Sequence, residues 1–244
     1  MPDGRVGLPN PVAPDTRIRA VLFDLDGTLY DQRPVRRRMF IELAAHALAR
    51  PWRGMRIVKA LSAYRRGQET LRGQDADTPV AAAQLALASK ASGLEAAAVA
   101  ALVDEWMIER PLRHVARYRA AGLVALLDTI EAAGVRAGLL SDYPASRKLA
   151  ALGVARRFSP VICTSDPDVN ALKPHPRGFE RACEAWGLPA SEVLMVGDRI
   201  EVDGAGAAAA GLPAIVIGQS SRSAGPGCAC LPSLEALHRV FLTR

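Results

Sequence analysis

From Gly122 onward the chain alternates short apolar runs of strand length with helical stretches, and the first four of those stretches each stop at a glycine (Gly134, Gly153, Gly187 and Gly211). Glycine closes a helix cheaply because it adopts the left-handed conformation without a Cβ penalty. The spacing predicts helices over 123–133, 144–152, 176–186, 201–210 and 233–242, the last capped by Ser233, and strands over 135–140, 160–164, 193–196 and 214–217. An earlier apolar run, 18–24, reads as a further strand. Strands separated by helices must pair in parallel, since each crossover returns the chain to the same edge. The expected class is therefore α/β, a Rossmann-like core with a mostly parallel sheet flanked by helices.

The segment between the first strand and this alternating region is different. Residues 33–119 are rich in Ala, Leu and Arg, with helical periodicity broken by Gly54, Gly67, Gly73, Pro79, Gly93 and Pro111. They read as an all-helical insert. The expected division is a flexible tail over 1–17, a core made of 18–30 and 120–244, and a helical cap domain over 31–119. The tail holds Pro2, Pro9, Pro11 and Pro14 and no apolar signal core, and no run is long and apolar enough to span a membrane.

Charge follows the same division. The chain carries a net +6, whereas residues 31–119 alone hold 16 Lys/Arg against 9 Asp/Glu. A solvated arginine-rich helix surface is the preferred reading, ahead of a field that draws in anions. Few aromatics interleave with these charges and no nucleic-acid module is recognisable, so nucleic-acid binding is not expected. Cys163, Cys183, Cys228 and Cys230 lack metal-knuckle spacing and read as reduced thiols. Trp52, Trp106 and Trp186 are expected to pack in the core or cap, and the four histidines to be structural or on the surface. The localisation expected from these features is cytoplasmic.

The polar residues at the strand ends carry the chemistry. Asp24, Ser141 and Asp198 each follow an expected strand, and Lys173 lies in a loop able to reach the same edge. Ligands of open parallel sheets bind at the carboxyl ends of the strands. A carboxylate can attack phosphorus and split one displacement into two. The approach of anion to anion then requires a cation and a metal. Asp24 and Asp198 suit Mg²⁺, a hard cation that prefers oxygen ligands. Lys173 would neutralise phosphoryl charge, and Ser141 would donate a hydrogen bond to a phosphoryl oxygen. Asp26 would act as acid and then base, and Gly27 would leave room for the phosphoryl group near the backbone.

The order and spacing of these residues resemble the haloacid dehalogenase-like hydrolase superfamily across 18–220. Asp24-Leu25-Asp26-Gly27-Thr28 matches its first motif, Leu140-Ser141-Asp142 its second, Lys173-Pro174 its third, and Gly197-Asp198 followed by Asp203 its fourth. The helical insert lies where one subfamily, phosphoglycolate phosphatase-like, carries its cap. The resemblance implies Asp24 as nucleophile and Asp26 as acid/base. It implies Mg²⁺ held by Asp24, the Asp26 carbonyl and Asp198, with Asp203 and Glu201 in the outer shell. Phosphate contacts would come from Asp24, Gly27, Thr28, Ser141, Asp142 and Lys173. Asp142 departs from the pattern, since Asn is frequent there. Founding dehalogenases lack an acid at the position of Asp26, so Asp26 points to phosphate rather than halide chemistry.

The expected function is a Mg²⁺-dependent phosphatase for a small phosphorylated metabolite. A phosphomutase or phosphotransferase using the same aspartyl-phosphate, and a non-catalytic binding protein on this scaffold, are the alternatives. Monomer and homodimer are both left open.

Overall fold

The structure is a computed structural model that describes residues 18–74, 78–218 and 227–242. The expected tail, 1–17, lies outside the described residues. Six strands form one sheet, β1 (Ala20–Phe23), β2 (Arg136–Ser141), β3 (Val161–Cys163), β4 (Val193–Gly197), β5 (Ala214–Ile217) and β6 (Cys228–Leu231). Their order is β3-β2-β1-β4-β5-β6, and every neighbouring pair is parallel. The parallel Rossmann-like core is as the alternation predicts. β6 is the strand missing from the sequence-based expectation. Its Cys-Ala-Cys-Leu run is short and follows Pro226 and Gly227, so no period separates it from a loop.

The sheet is buried on both faces, as parallel sheets are. In β1 all four residues are buried. Val21 and Phe23 pack with α6 (Leu123–Ala132) and α10 (Leu234–Leu242), through Leu126, Ile130, Leu237 and Phe241. Ala20 and Leu22 point the other way, to α8 (Arg177–Trp186) and α9 (Ala205–Ala209), in one core with Phe179, Ala182, Trp186 and Ala207. The period of two along a strand sends alternate residues to opposite cores. Ser233 caps α10 as expected, its Oγ accepting from the Ala236 N–H at 3.2 Å.

Helices α1 (Gln32–Ala49), α2 (Pro51–Leu71), α3 (Val80–Ser92), α4 (Ala96–Val103) and α5 (Arg110–Val115) make up the insert, with a π-helical turn at Asp104–Glu109. The core of the insert is built from small residues: Ala60, Ala63, Ala88, Val99 and Val103. Small side chains let helices approach closely. At Gly54 an added Cβ would lie 2.4 Å from Ala47 on α1. Trp106 and Trp186 are buried, as expected, but Trp52 is 81% exposed. It sits just after the turn between α1 and α2, where the described residues leave it largely uncovered.

The insert leaves and rejoins the core through paired backbone. The Asp31 N–H donates to the Tyr118 carbonyl at 2.8 Å, and the Ala120 N–H donates to the Leu29 carbonyl at 3.0 Å. The two connections thus brace one another beside the end of β1. No single helix among the described residues is long and apolar enough to cross a membrane.

Candidate active site

Strand register places the acids. Phe23 at the end of β1 is level with Leu139 of β2 and Val196 of β4. Asp24 therefore stands beside Leu140 and Gly197, with Ser141 and Asp198 one residue further along. The chain order reverses between β1 and β4, and such a switch point opens a crevice at the strand tips. Residues more than a hundred positions apart meet there because adjacent parallel strands lie only about 5 Å apart.

Lys173 joins the cluster. Its Nζ donates to Asp24 Oδ1 at 2.6 Å, to Asp203 Oδ1 at 2.7 Å and to the Leu140 carbonyl at 3.4 Å. Burial opposes its ammonium, but Asp203, Asp24 and Asp142 outweigh that and hold the proton firmly. The other oxygen of Asp24 accepts from Thr28 Oγ1 at 3.2 Å. Asp203 Oδ2 accepts the N–H groups of Asp198 at 3.2 Å and Arg199 at 3.1 Å, which fixes the turn after β4.

The donor set fits a hard divalent cation. One carboxylate oxygen each from Asp24, Asp198 and Asp203 lie within 4.8 Å of one another. Three acids so close repel. Burial, with Asp203 and Asp198, raises the Asp24 carboxyl well above its usual range despite Lys173. Burial and Asp203 push Asp198 up to about 6. A cation among them reverses that balance. Asp203 is held by Lys173 and two amides, and Asp24 by Lys173 and Thr28, so a cation would enter a cluster already fixed by hydrogen bonds. Gly27 belongs to the same cradle. Its φ is +107°, and an added Cβ would sit 2.1 Å from Asp198 Oδ2. No other residue fits that position with Asp198 in place.

Asp26 is held by a residue that sequence reasoning missed. Lys148, on α7 (Ser146–Ala151), donates to both Asp26 oxygens, at 2.6 and 2.8 Å. Tyr30 Oη also donates to Asp26 Oδ1. Burial opposes ionisation of Asp26, but Lys148 and the hydroxyl of Tyr30 prevail and hold the carboxyl below its usual range. The Lys148 ammonium lies 6.0 Å from the Tyr30 ring centre and 5.9 Å from that of Tyr143. Nothing in the sequence marks Lys148 as different from a solvated helix lysine. Only the fold of α7 back over the β1 tip buries it to 4% exposure.

Ser141 is buried, and its Oγ accepts from the Tyr143 N–H at 3.2 Å, leaving its own proton to donate elsewhere. Asp142 lines the cavity at the strand tips, and its carboxylate has three donors of its own. Arg72 Nη1 donates to its Oδ2 at 2.6 Å, while Thr164 Oγ1 at 3.0 Å and the Lys173 N–H at 3.3 Å donate to its Oδ1. Arg72, the residue after α2, also donates to the Lys173 carbonyl at 2.9 Å. It ties the insert to two core loops at once, a role without any sequence signal. Glu201 is not drawn into the cluster. Its side chain is 66% exposed and accepts from Arg199 Nε at 2.9 Å.

The fold and the strand-tip acids define the class first: an α/β enzyme with its carboxylates and a lysine at the switch point of a parallel sheet. The chain belongs to the haloacid dehalogenase-like hydrolase family, whose model matches residues 18–211. It is 32% identical over 190 residues to an N-acetylmuramic acid 6-phosphate phosphatase from Pseudomonas putida, covering 75% of each chain. It is 30% identical over 217 residues to a phosphoglycolate phosphatase from Rhodospirillum rubrum, covering 82% of this chain and 79% of that one. Among solved structures, a 2-haloacid dehalogenase from Pseudomonas syringae shares the fold with a TM-score of 0.64 at 23% identity, covering 92% of this chain and 98% of that one.

Proposed function

We propose that the chain is a Mg²⁺-dependent phosphatase that hydrolyses an organic phosphate monoester through an aspartyl-phosphate on Asp24. The observation that carries this reading is the pair of acids at the β1 tip. Asp24 is clamped by Lys173 and Thr28, and a second acid, Asp26, stands two residues on with its own lysine. The relatives named as phosphatases support it.

Asp24, Asp198 and the carbonyl of Asp26 would hold Mg²⁺, which supplies charge neutralisation between nucleophile and substrate. Asp24 attacks phosphorus in line, and the bond from phosphorus to the ester oxygen breaks. Lys173 and Ser141 hold the phosphoryl oxygens, and Asp26 gives its proton to the departing oxygen. A water then loses a proton to Asp26 and attacks the phosphorus of the acyl phosphate, releasing inorganic phosphate and restoring Asp24. Lys148 favours the ionised form of Asp26, which suits the second half of this cycle. An incoming phosphate dianion raises its proton affinity for the first half, as a nearby like charge does.

The paired connections at 29–31 and 118–120 serve in this reading as the hinge between a core, 18–30 with 120–244, and a cap, 31–119. Closure of the cap excludes water and selects the substrate. The four unpaired thiols fit a reducing compartment, the cytoplasm. The test is hydrolysis of p-nitrophenyl phosphate. Activity is expected with Mg²⁺, and it falls at least about a thousandfold with EDTA or with Asp24→Asn. Turnover that survives Asp24→Asn would overturn the mechanism.

A further inference from the structure

A cavity of about 580 Å³ runs from the strand tips into the insert. Its volume is that of a drug-sized ligand site, well beyond the needs of a phosphoryl group. Of the insert elements that wall it, which include Trp106, Met107 and Pro111, the two long helices α1 and α2 change character along their length in the same direction. On α1 the lining begins with Gln32, the buried Val35 and Arg36 near the core and becomes wholly apolar at Met39, Phe40 and Leu43. On α2, followed backwards from the core, it begins with Arg72, Glu69, Gln68 and Arg65, passes Ser62, and becomes Leu61 and Val58. Each strip spans twelve residues, from Gln32 to Leu43 and from Glu69 to Val58, about 16 Å of helix.

Two antiparallel helices therefore present the same gradient, cationic and polar beside the acids and apolar beyond. Phe40 is 72% exposed and Val58 44% exposed. These side chains are not hidden in the small alanine core of the insert. Apolar side chains left facing a wet cavity gain nothing, whereas covering them is favourable by about 25 cal/mol per Å².

We infer that the phosphoryl group is carried on a long, apolar leaving group, an amphiphilic phosphomonoester, whose body lies between the distal turns of α1 and α2. This rests on the phosphatase reading and names the substrate class of the same site. The head is held at Asp24 and Lys173, Arg36 and Arg65 add positive potential behind it, and the tail lies against Phe40, Leu43, Val58 and Leu61. A small diacid would leave the distal half of the cavity without contacts.

The test uses n-alkyl phosphates from ethyl to decyl, below their micelle concentrations, with Mg²⁺ and with phosphoglycolate for reference. kcat/KM is expected to rise about fourfold per methylene until the cavity is filled. Phe40→Asp lowers the decyl-to-ethyl ratio at least about tenfold, and Ile41→Ser, exposed and outside the cavity lining, keeps the wild-type slope. A flat or falling profile, or phosphoglycolate preferred over decyl phosphate, overturns the inference and leaves the phosphatase reading intact. Binding of the matching alkyl phosphonates by calorimetry separates the two claims. Affinity that rises with chain length without turnover of any ester keeps the apolar chamber and removes the phosphatase reading; no chain-length dependence in either measurement removes the chamber.

Discussion

The sheet edge and the helical insert solve opposite problems. At the sheet edge Asp24, Asp26 and Asp203 each have an assigned partner. Lys173 serves Asp24 and Asp203, Lys148 serves Asp26, and backbone amides fill the rest of Asp203. The insert packs around alanines and valines, leaves Phe40, Leu48, Trp52 and Met55 exposed, and carries most of the positive charge. The first arrangement tolerates almost no displacement, because buried charges depend on geometry for their compensation. The second tolerates a good deal, because small side chains and exposed surface cost little to rearrange. Under the proposed function, chemistry would be held on the rigid element and recognition left to the adaptable one.

The sharpest way to break the comparison is Lys173→Met. It leaves Asp24 and Asp203 buried without their cation. The expected loss in kcat/KM exceeds about a thousandfold, and stability in urea falls by about 3 kcal/mol. An effect on activity alone would mean that the acid cluster is not held together by the lysine.

Lys148→Met comes next. It spares Asp24 and removes one of the two partners of Asp26, leaving the Tyr30 hydroxyl in place. kcat is expected to fall about ten- to a hundredfold, the scale of acid and base catalysis, with KM little changed. Loss of affinity instead of turnover would reassign Lys148 to substrate binding.

Arg72→Met tests the join between the two regions. Asp142 and the Lys173 carbonyl lose their link to α2, so the insert closes less firmly. KM should rise about fivefold to tenfold while kcat changes less than about threefold, the signature of lost uniform binding. The smallest effect belongs to Trp52→Ser. At 81% exposure and outside the cavity lining, it should shift stability by no more than about 0.5 kcal/mol and leave kinetics unchanged. A larger shift would show that this end of the insert is covered in solution.

Much of the site was legible before the structure because its residues sit at strand ends, and a strand end is a local property. An apolar run followed by Asp24, or by Ser141, or by Gly197-Asp198, says both where the strand stops and what stands at its tip. Glu201 shows the limit of that reading. A place next to a motif does not bring a side chain into a cluster, and here Arg199 holds it at the surface. Asp142 shows a second limit, since its carboxylate is turned to Arg72 from a different helix.

By itself the sequence determined the alternation of strand and helix, the helical insert, and the acids at the tips, all of which depend on local periodicity and on glycine. The order of the strands, the burial of Lys148 under Tyr30 and Tyr143, the reach of Arg72, and the polar-to-apolar gradient along α1 and α2 were decided by tertiary structure alone. Each requires that two segments distant in sequence face one another. Local propensity carries no information on that, and only the packing of both cores onto one twisted sheet supplies it.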